Sequence, residues 1–502
     1  MPLALTAPQR PRGAGGWASA RVLLPFLGAL TLGTAIGTSS TATGLRLVLG
    51  LSGGGTVLAG LSMAPTRRPE GGKTVGRAGR VLFGLLLAVL VLATLNPRTK
   101  DISRYDQLVA LAVSFTFVLV VARLVVSTEK VPLAIGLLLA YLAVIALNGA
   151  VARLFSVDGA AWARRAFVAS SMPLAAAGAW LAGGAHRARR LVWAVVALCA
   201  GIAVYYLTLF HPGDSLLQVR GAYKGAFFQT GGTYSAAIVA TVTFPFLLAR
   251  TRWRLILGPL FLLGLAGVAV TFARTFWVTT PAALALSVAA LKGHRLGRRV
   301  GLGLATVLVV SLLIQGTGPG SRYAALAGER LTQRNMSGTF RVEEAGGLLH
   351  AMRADPTTLV LGAGLGNTFS FHSTDPYAIG GVGVTTRDYS HNWYLEVLWT
   401  LGVVGLVVVV AFLASVCRML LVALRRAPSA GEPEPWDRFL CAGLLGTFVN
   451  FTLAAVTYHP FGILLWNLVL GLLAGAACSL AGPVRAPAHA PAPPGRWSTR
   501  RW

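Results

Sequence analysis

The chain has 502 residues, of which 55% are hydrophobic and 12% charged, and its formal net charge is +28. A soluble chain of this length carries about 25% charged residues, so the composition excludes a water-soluble protein along with the fibrous, disordered and disulfide-rich classes. The positive charge does not call for nucleic acid, because membrane proteins concentrate Lys and Arg in their cytoplasmic loops.

A membrane-spanning helix needs roughly 20 mostly apolar residues. About 14 such runs follow one another, centred near residues 28, 54, 88, 115, 141, 175, 200, 241, 262, 283, 308, 405, 448 and 471. The expected fold class is all-α: a polytopic integral membrane protein of about 14 transmembrane helices, with one large, partly helical extracytoplasmic loop. The organisation reads as a cytoplasmic tail (1–20), N-terminal transmembrane helices (21–200), and transmembrane helices with arginine-bearing outer loops (201–316). The large extracytoplasmic loop (317–392), C-terminal transmembrane helices (393–482) and a disordered basic cytoplasmic tail (483–502) complete it. The four cysteines, Cys199, Cys417, Cys441 and Cys478, lie in or beside apolar runs at no metal-ligand spacing, which reads as core packing.

Basic clusters set the orientation. Arg67, Arg68, Lys73, Arg77 and Arg80 form one, and Arg187, Arg189 and Arg190 the next. Arg250, Arg252 and Arg254, then Lys292, Arg295, Arg298 and Arg299, then Arg418, Arg425 and Arg426 follow. They fall on alternate connections, so one topology places them all in the cytoplasm, against anionic lipid. Arginines on the other side need a different reason.

Four outer segments supply candidates. The loop from Arg220 to Tyr234 holds Arg220, Lys224 and several glycines ahead of an apolar helix, which suits either anions or a flexible loop with snorkelling cations. Arg274 sits between two apolar runs with almost no loop; it reads either as an interfacial anchor beside Trp277 or as a charge inside the bundle, which marks a ligand path by default and matches phosphate oxygens bidentately. Within the long loop, Ser337 caps an expected helix through Arg341, Glu343, Glu344 and His350 to Met352, ending before Pro356. The glycines of residues 361–369 resemble a dinucleotide fingerprint in spacing, but no strand or βαβ unit precedes them; a tight turn lining a polar cavity is expected instead. Last, His391 stands where the loop meets a membrane helix. Histidine is the ordinary proton acceptor at neutral pH. Glu396, five residues on, either orients His391 or charges the first helical turn.

His391-Asn392, nine residues, Gly402, two residues, Gly405 resembles the signature of the O-antigen ligase and O-antigen polymerase family. Arg220 with Gly225 and Phe227, Arg274 before an aromatic, and Arg341 followed by the glycines of 362–366 fall in the order of that family's other motifs. Departures are Gln229-Thr230-Gly231 where the family often has Asn-Pro-Asn, and Ala273 and Thr275 flanking Arg274 in place of Ser and Gly. The resemblance covers roughly residues 200 to 420. It implies a multi-pass bacterial plasma-membrane enzyme whose active site faces outside. It implies transfer of a glycan, with inversion, from a polyprenyl-diphosphate carrier to a glycan or other hydroxyl acceptor. Arg220, Arg274, Arg341 and Lys224 are then expected to bind the diphosphate, His391 to act as base, and Asn392, Glu396, Gly402 and Gly405 to support it. No cofactor, metal or nucleic acid is expected; membrane lipids are. The alternatives are a repeat-unit polymerase of the same family and, in another class, a lipid-linked glycan flippase. A flippase predicts mid-span charges and repeated halves.

Overall fold

The structure, a computed structural model, describes residues 77–95, 104–125, 127, 130–154, 156–208, 232–248, 254–271, 273–291, 336–374, 382–425, 436–459 and 463–481, and single residues between 321 and 328. The helices are α1 (Arg77–Leu95), α2 (Arg104–Val125), α3 (Leu133–Leu154), α4 (Gly159–Ala182), α5 (Ala185–Thr208), α6 (Gly232–Leu247), α7 (Arg254–Val270) and α8 (Arg274–Ala290). The former loop region contains α9 (Met336–Ala354), α10 (Thr357–Leu361) and strands β1 (Phe369–Ser373) and β2 (Gly383–Arg387). α11 (Trp393–Arg425), α12 (Trp436–Ala454) and α13 (Leu464–Ala481) complete the described chain.

Eleven expected apolar runs fall on α1–α8 and α11–α13; those centred near 28, 54 and 308 lie outside the described residues. Against the expected count of about 14, four described helices are long and apolar enough to cross a membrane: Leu133–Ala152, Ala185–Thr208, Trp393–Arg425 and Leu464–Ala481. Gly79–Ala93, Ala110–Val125, Gly232–Leu247 and Arg254–Val270 are shorter apolar helices. Exposed aliphatics on these helices, such as Leu111, Val118, Leu133, Leu147, Val403 and Val407, suit a hydrocarbon surround.

The all-α expectation needs one correction. β1 and β2 pair antiparallel, Phe369 opposite Arg387 and Ser373 opposite Gly383. Phe369 and Phe371 alternate with exposed Ser370 and His372, so one face is apolar. That face joins Phe340, Leu348 and Met352 of α9 and Trp399 of α11 in a small separate core. The hairpin and α9 thereby form a compact cap on one end of the bundle.

Small residues let the bundle close. Gly471 and Gly475 put one face of α13 against α4, where an added Cβ would overlap the carbonyl oxygens of Met172 and Ala176. Close backbone approach through small residues is a main source of helix association in lipid. Polar pairs add specificity: Thr241 to Thr447 at 2.8 Å between α6 and α12, and Thr279 to Asn450 at 2.6 Å between α8 and α12.

The glycine segment after α10 is wedged into α11. Gly402 has φ +69° and interrupts that helix. The break takes from the Trp399 and Thr400 carbonyls the amides they would meet in an unbroken helix. Ala363 N–H donates to Trp399 O at 2.6 Å and Gly364 N–H to Thr400 O at 3.1 Å. Asn148 of α3 donates to Thr400 O at 2.8 Å and accepts from Leu365 N–H at 2.8 Å. Residues 361–369 are therefore mainly a backbone wedge among α3, α4 and α11. Gly364 to Asn367 also form the expected tight turn, the Asn367 amide donating to Gly364 O at 3.1 Å, and Leu365 within it lines a small cavity with Arg165, Glu396 and His459.

Chain direction places the bundle ends. The end formed by the starts of α8 and α11 and the close of α12 carries the cap. Arg187, Arg254, Arg418 and Arg425 lie at or near helix termini of the opposite end.

Candidate active site

A cavity of about 630 Å³ opens beneath the cap. Arg274 and Thr275 at the start of α8 line it, as do Gly338, Arg341, Val342, Ala345, Gly346 and Leu349 along α9. His391 and Asn392 precede α11, and Val456, Thr457 and Tyr458 form the turn after α12. Three elements distant in sequence thus bring Arg274, Arg341, His391 and Asn392 to one space. Arg220 and Lys224 lie outside the described residues.

Each of these side chains has a local cause for its position. α7 ends at Val270 and α8 begins at Arg274, so the guanidinium emerges at the helix start. Thr275 is tied by its hydroxyl to that of Thr457 at 2.7 Å. Arg341 lies one turn into α9 with its guanidinium 4.8 Å above the Tyr458 ring. Asn392 caps α11, its side-chain oxygen accepting the Leu395 amide at 3.1 Å.

His391 is held by a carboxylate, and it is Glu344 rather than Glu396. Nδ1 lies 3.1 Å from both Glu344 oxygens, and the His391 amide donates to Oε2 at 2.8 Å. Phe340 and Tyr389 pack against the imidazole with centroids 6.0 and 5.9 Å away. Burial alone would push the Glu344 carboxyl up. The hydrogen bonds and charge from His391, with the Arg387 guanidinium 3.9 Å away, outweigh burial and hold it below its ordinary value. An ionised carboxylate only accepts hydrogen bonds, so Nδ1 carries a proton, and in the neutral form of the ring the lone pair is on Nε2. A positioned imidazole of this tautomer can take a proton from a hydroxyl in the cavity.

Glu396 does something else. It is buried, accepts the Ser390 amide at 3.0 Å, and pairs with His459 Nε2 at 2.8 Å. It lines the second, much smaller cavity with Tyr141, Arg165 and His459. Of the two roles expected for it, orienting His391 belongs to Glu344; Glu396 lies in the first turn of α11, which carries it into the bundle. Tyr389 stacks on His459 at 6.0 Å and 9°, and Arg387 donates to the Tyr389 hydroxyl at 2.7 Å. Burial raises the Tyr389 hydroxyl above its ordinary range despite the neighbouring Arg387 charge. Gly402 and Gly405 do not line the main cavity; they serve α11.

The sequence did not single out Glu344 as the partner of His391, nor the turn from Val456 to His459 as a wall. Among the described residues, no group of three or more His, Cys, Asp or Glu side chains is placed to hold a metal ion.

The lowered Glu344 carboxyl has a measurable consequence. A group held below its unfolded pKa stabilises the fold fully above that value and loses the contribution as pH falls through the folded one. The difference in melting temperature between wild type and Glu344→Gln is expected to be constant near neutrality. It should narrow below the ordinary glutamate range of about 4–4.5. A difference that persists unchanged to pH 3 would show that the charge contributes nothing.

Residues 259–410 match a family model described as O-antigen ligase. The matched stretch holds Arg274, Arg341, Glu344, His391, Gly402 and Gly405, and stops before the turn after α12. No curated protein matches the chain.

Proposed function

We propose that the chain is a membrane glycosyltransferase of O-antigen ligase type, transferring a glycan from a polyprenyl diphosphate to an acceptor hydroxyl. The observation that carries this reading is one cavity lined by two arginines and a histidine whose Nδ1 is held by the Glu344 carboxylate. The acceptor oxygen attacks the anomeric carbon while its proton passes to Nε2 of His391. The bond from that carbon to the diphosphate oxygen breaks, and its electron pair stays on the diphosphate. Attack opposite the leaving group inverts the anomeric configuration.

Arg274 and Arg341 face the developing charge on the leaving group. Fixed guanidiniums aimed at a forming anion act most strongly where water is largely excluded. Arg220 and Lys224 join this clamp in the proposal on the strength of the motif order alone. Since the arginines supply the positive charge, the scheme requires no metal. Glu344 is a positioning residue: it fixes the tautomer and steadies the imidazolium once the proton has arrived. The cap end faces outside the plasma membrane in this reading, because the basic helix ends opposite follow the positive-inside rule.

Transfer from an undecaprenyl-diphosphate-linked oligosaccharide by the purified full-length chain in lipid vesicles tests the proposal. Arg274→Ala is expected to lower the rate by about 10²-fold or more, consistent with loss of one key charge-stabilising donor. An unchanged rate in a folded variant rejects the clamp. Products that lengthen on the carrier would identify a polymerase, and products on a separate acceptor a ligase. Lipid movement across the vesicle without glycosyl transfer would reject the enzyme.

A further inference from the structure

The turn after α12 lies beyond the matched family segment, yet it contacts Arg341 directly and residues that adjoin Arg274 and lead to His391. Thr457 binds Thr275, the neighbour of Arg274. His459 pairs with Glu396, which holds the amide of Ser390 beside His391. Between them stands Tyr458. One side of its ring lies 4.8 Å from the Arg341 guanidinium, and Phe276 of α8 meets the ring edge-on at 5.7 Å. Tyr234 of α6 makes a further edge contact at 6.4 Å.

We infer that Tyr458 is a positioning residue for the anion clamp: its ring, fixed by Phe276 and Tyr234, sets the Arg341 guanidinium toward the diphosphate. This rests on the proposed glycosyltransferase reading. The long side chain of arginine has many rotamers, and an aromatic face underneath selects among them at little cost in hydration. Among the described residues no carboxylate stands within ion-pair distance of Arg341, and the ring beneath the guanidinium orients it without neutralising its charge. Tyr458 itself is not required to touch the reacting atoms.

Undecaprenyl diphosphate in detergent micelles is the probe, with its affinity measured for the full-length wild type and variants. Tyr458→Leu is expected to weaken binding about tenfold, and Tyr458→Phe, which keeps the aromatic face, to restore most of it. Arg341→Ala combined with Tyr458→Leu should bind no more weakly than Arg341→Ala alone, because one residue acts through the other. Tyr458→Met replaces the leucine variant if that one misfolds. Wild-type affinity in Tyr458→Leu, additive losses in the double variant, or an equal loss in Tyr458→Phe each overturn the inference. If the wild type itself does not bind the probe, the glycosyltransferase reading falls. If it binds and only the Tyr458 variants fail to respond, that reading stands without this inference.

Discussion

His391→Ala is expected to lower glycosyl transfer by 10²–10⁴-fold, the usual range for a lost general base, while undecaprenyl diphosphate still binds. The split follows from the division of labour in the cavity. In the proposed reading Arg274 and Arg341 hold the anion, and removing an imidazole that carries no part of that clamp leaves the donor in place. Among the described residues lining the cavity no second histidine or carboxylate takes over as base: Glu344, next to His391, is buried and already accepts hydrogen bonds from the His391 ring and amide and from Ser390. The size of the loss depends on how well the ring is held. Nδ1 is fixed by Glu344, and Phe340 and Tyr389 limit rotation from either side. Glu344→Gln is therefore less severe than His391→Ala, since a glutamine still accepts from Nδ1–H but brings no charge to the imidazolium. Measuring single-turnover transfer and donor affinity on the same preparation checks both halves. A His391→Ala rate within a few-fold of wild type would remove His391 from the chemistry.

Some of this site was legible in the sequence because its residues break a rule locally. Arg274 stands between two apolar runs, where a charge is costly, and His391 stands where a hydrophilic segment enters a membrane helix. Neither needs the fold to be noticed. Glu344 obeys every local rule: it is one of several acids and bases on a polar helix, 47 residues from His391 in the chain. Only the docking of α9 against the start of α11 distinguishes it from Glu343, which instead binds Thr374. Tyr458 and His459 end an apolar run, a place where aromatic and polar side chains ordinarily mark the membrane interface, so nothing in their neighbourhood points to a cavity.

The helices were legible for a related reason. Apolar runs of about 20 residues are a strong signal, whereas the five-residue strands at 369–373 and 383–387 alternate too briefly to stand out. Glu396 shows how spacing misleads at a helix start. Counting five residues from His391 ignores the turn at Ser390–Asn392, after which α11 points Glu396 into the bundle, toward His459.

Gly402→Ala is expected to be strongly disruptive, although the residue lies in α11 outside the cavity. Gly402 sits at φ +69° and ψ −174°, a region open essentially to glycine alone that costs a side-chain-bearing residue about 1–3 kcal/mol. An added Cβ would also overlap the Val360 carbonyl oxygen and crowd the Gly362 amide, and those are backbone atoms that no rotamer change can move. Gly362, at φ +78°, faces the same crossing from the other side, where a Cβ would overlap the Thr400 carbonyl. To admit the methyl group the two segments must separate, which stretches the bonds from Ala363 and Gly364 to Trp399 and Thr400 and leaves buried carbonyls with poorer partners. Together these effects amount to roughly 3–5 kcal/mol. Thermal unfolding in detergent should show a clear drop in melting temperature for Gly402→Ala. Gly346→Ala, whose Cβ meets nothing within 4 Å, should melt close to wild type. The same separation moves the segment that carries α9 against His391, so transfer should fall in Gly402→Ala even below its melting temperature. A Gly402→Ala protein that melts like wild type would mean that the break in α11 is not held by the glycine wedge.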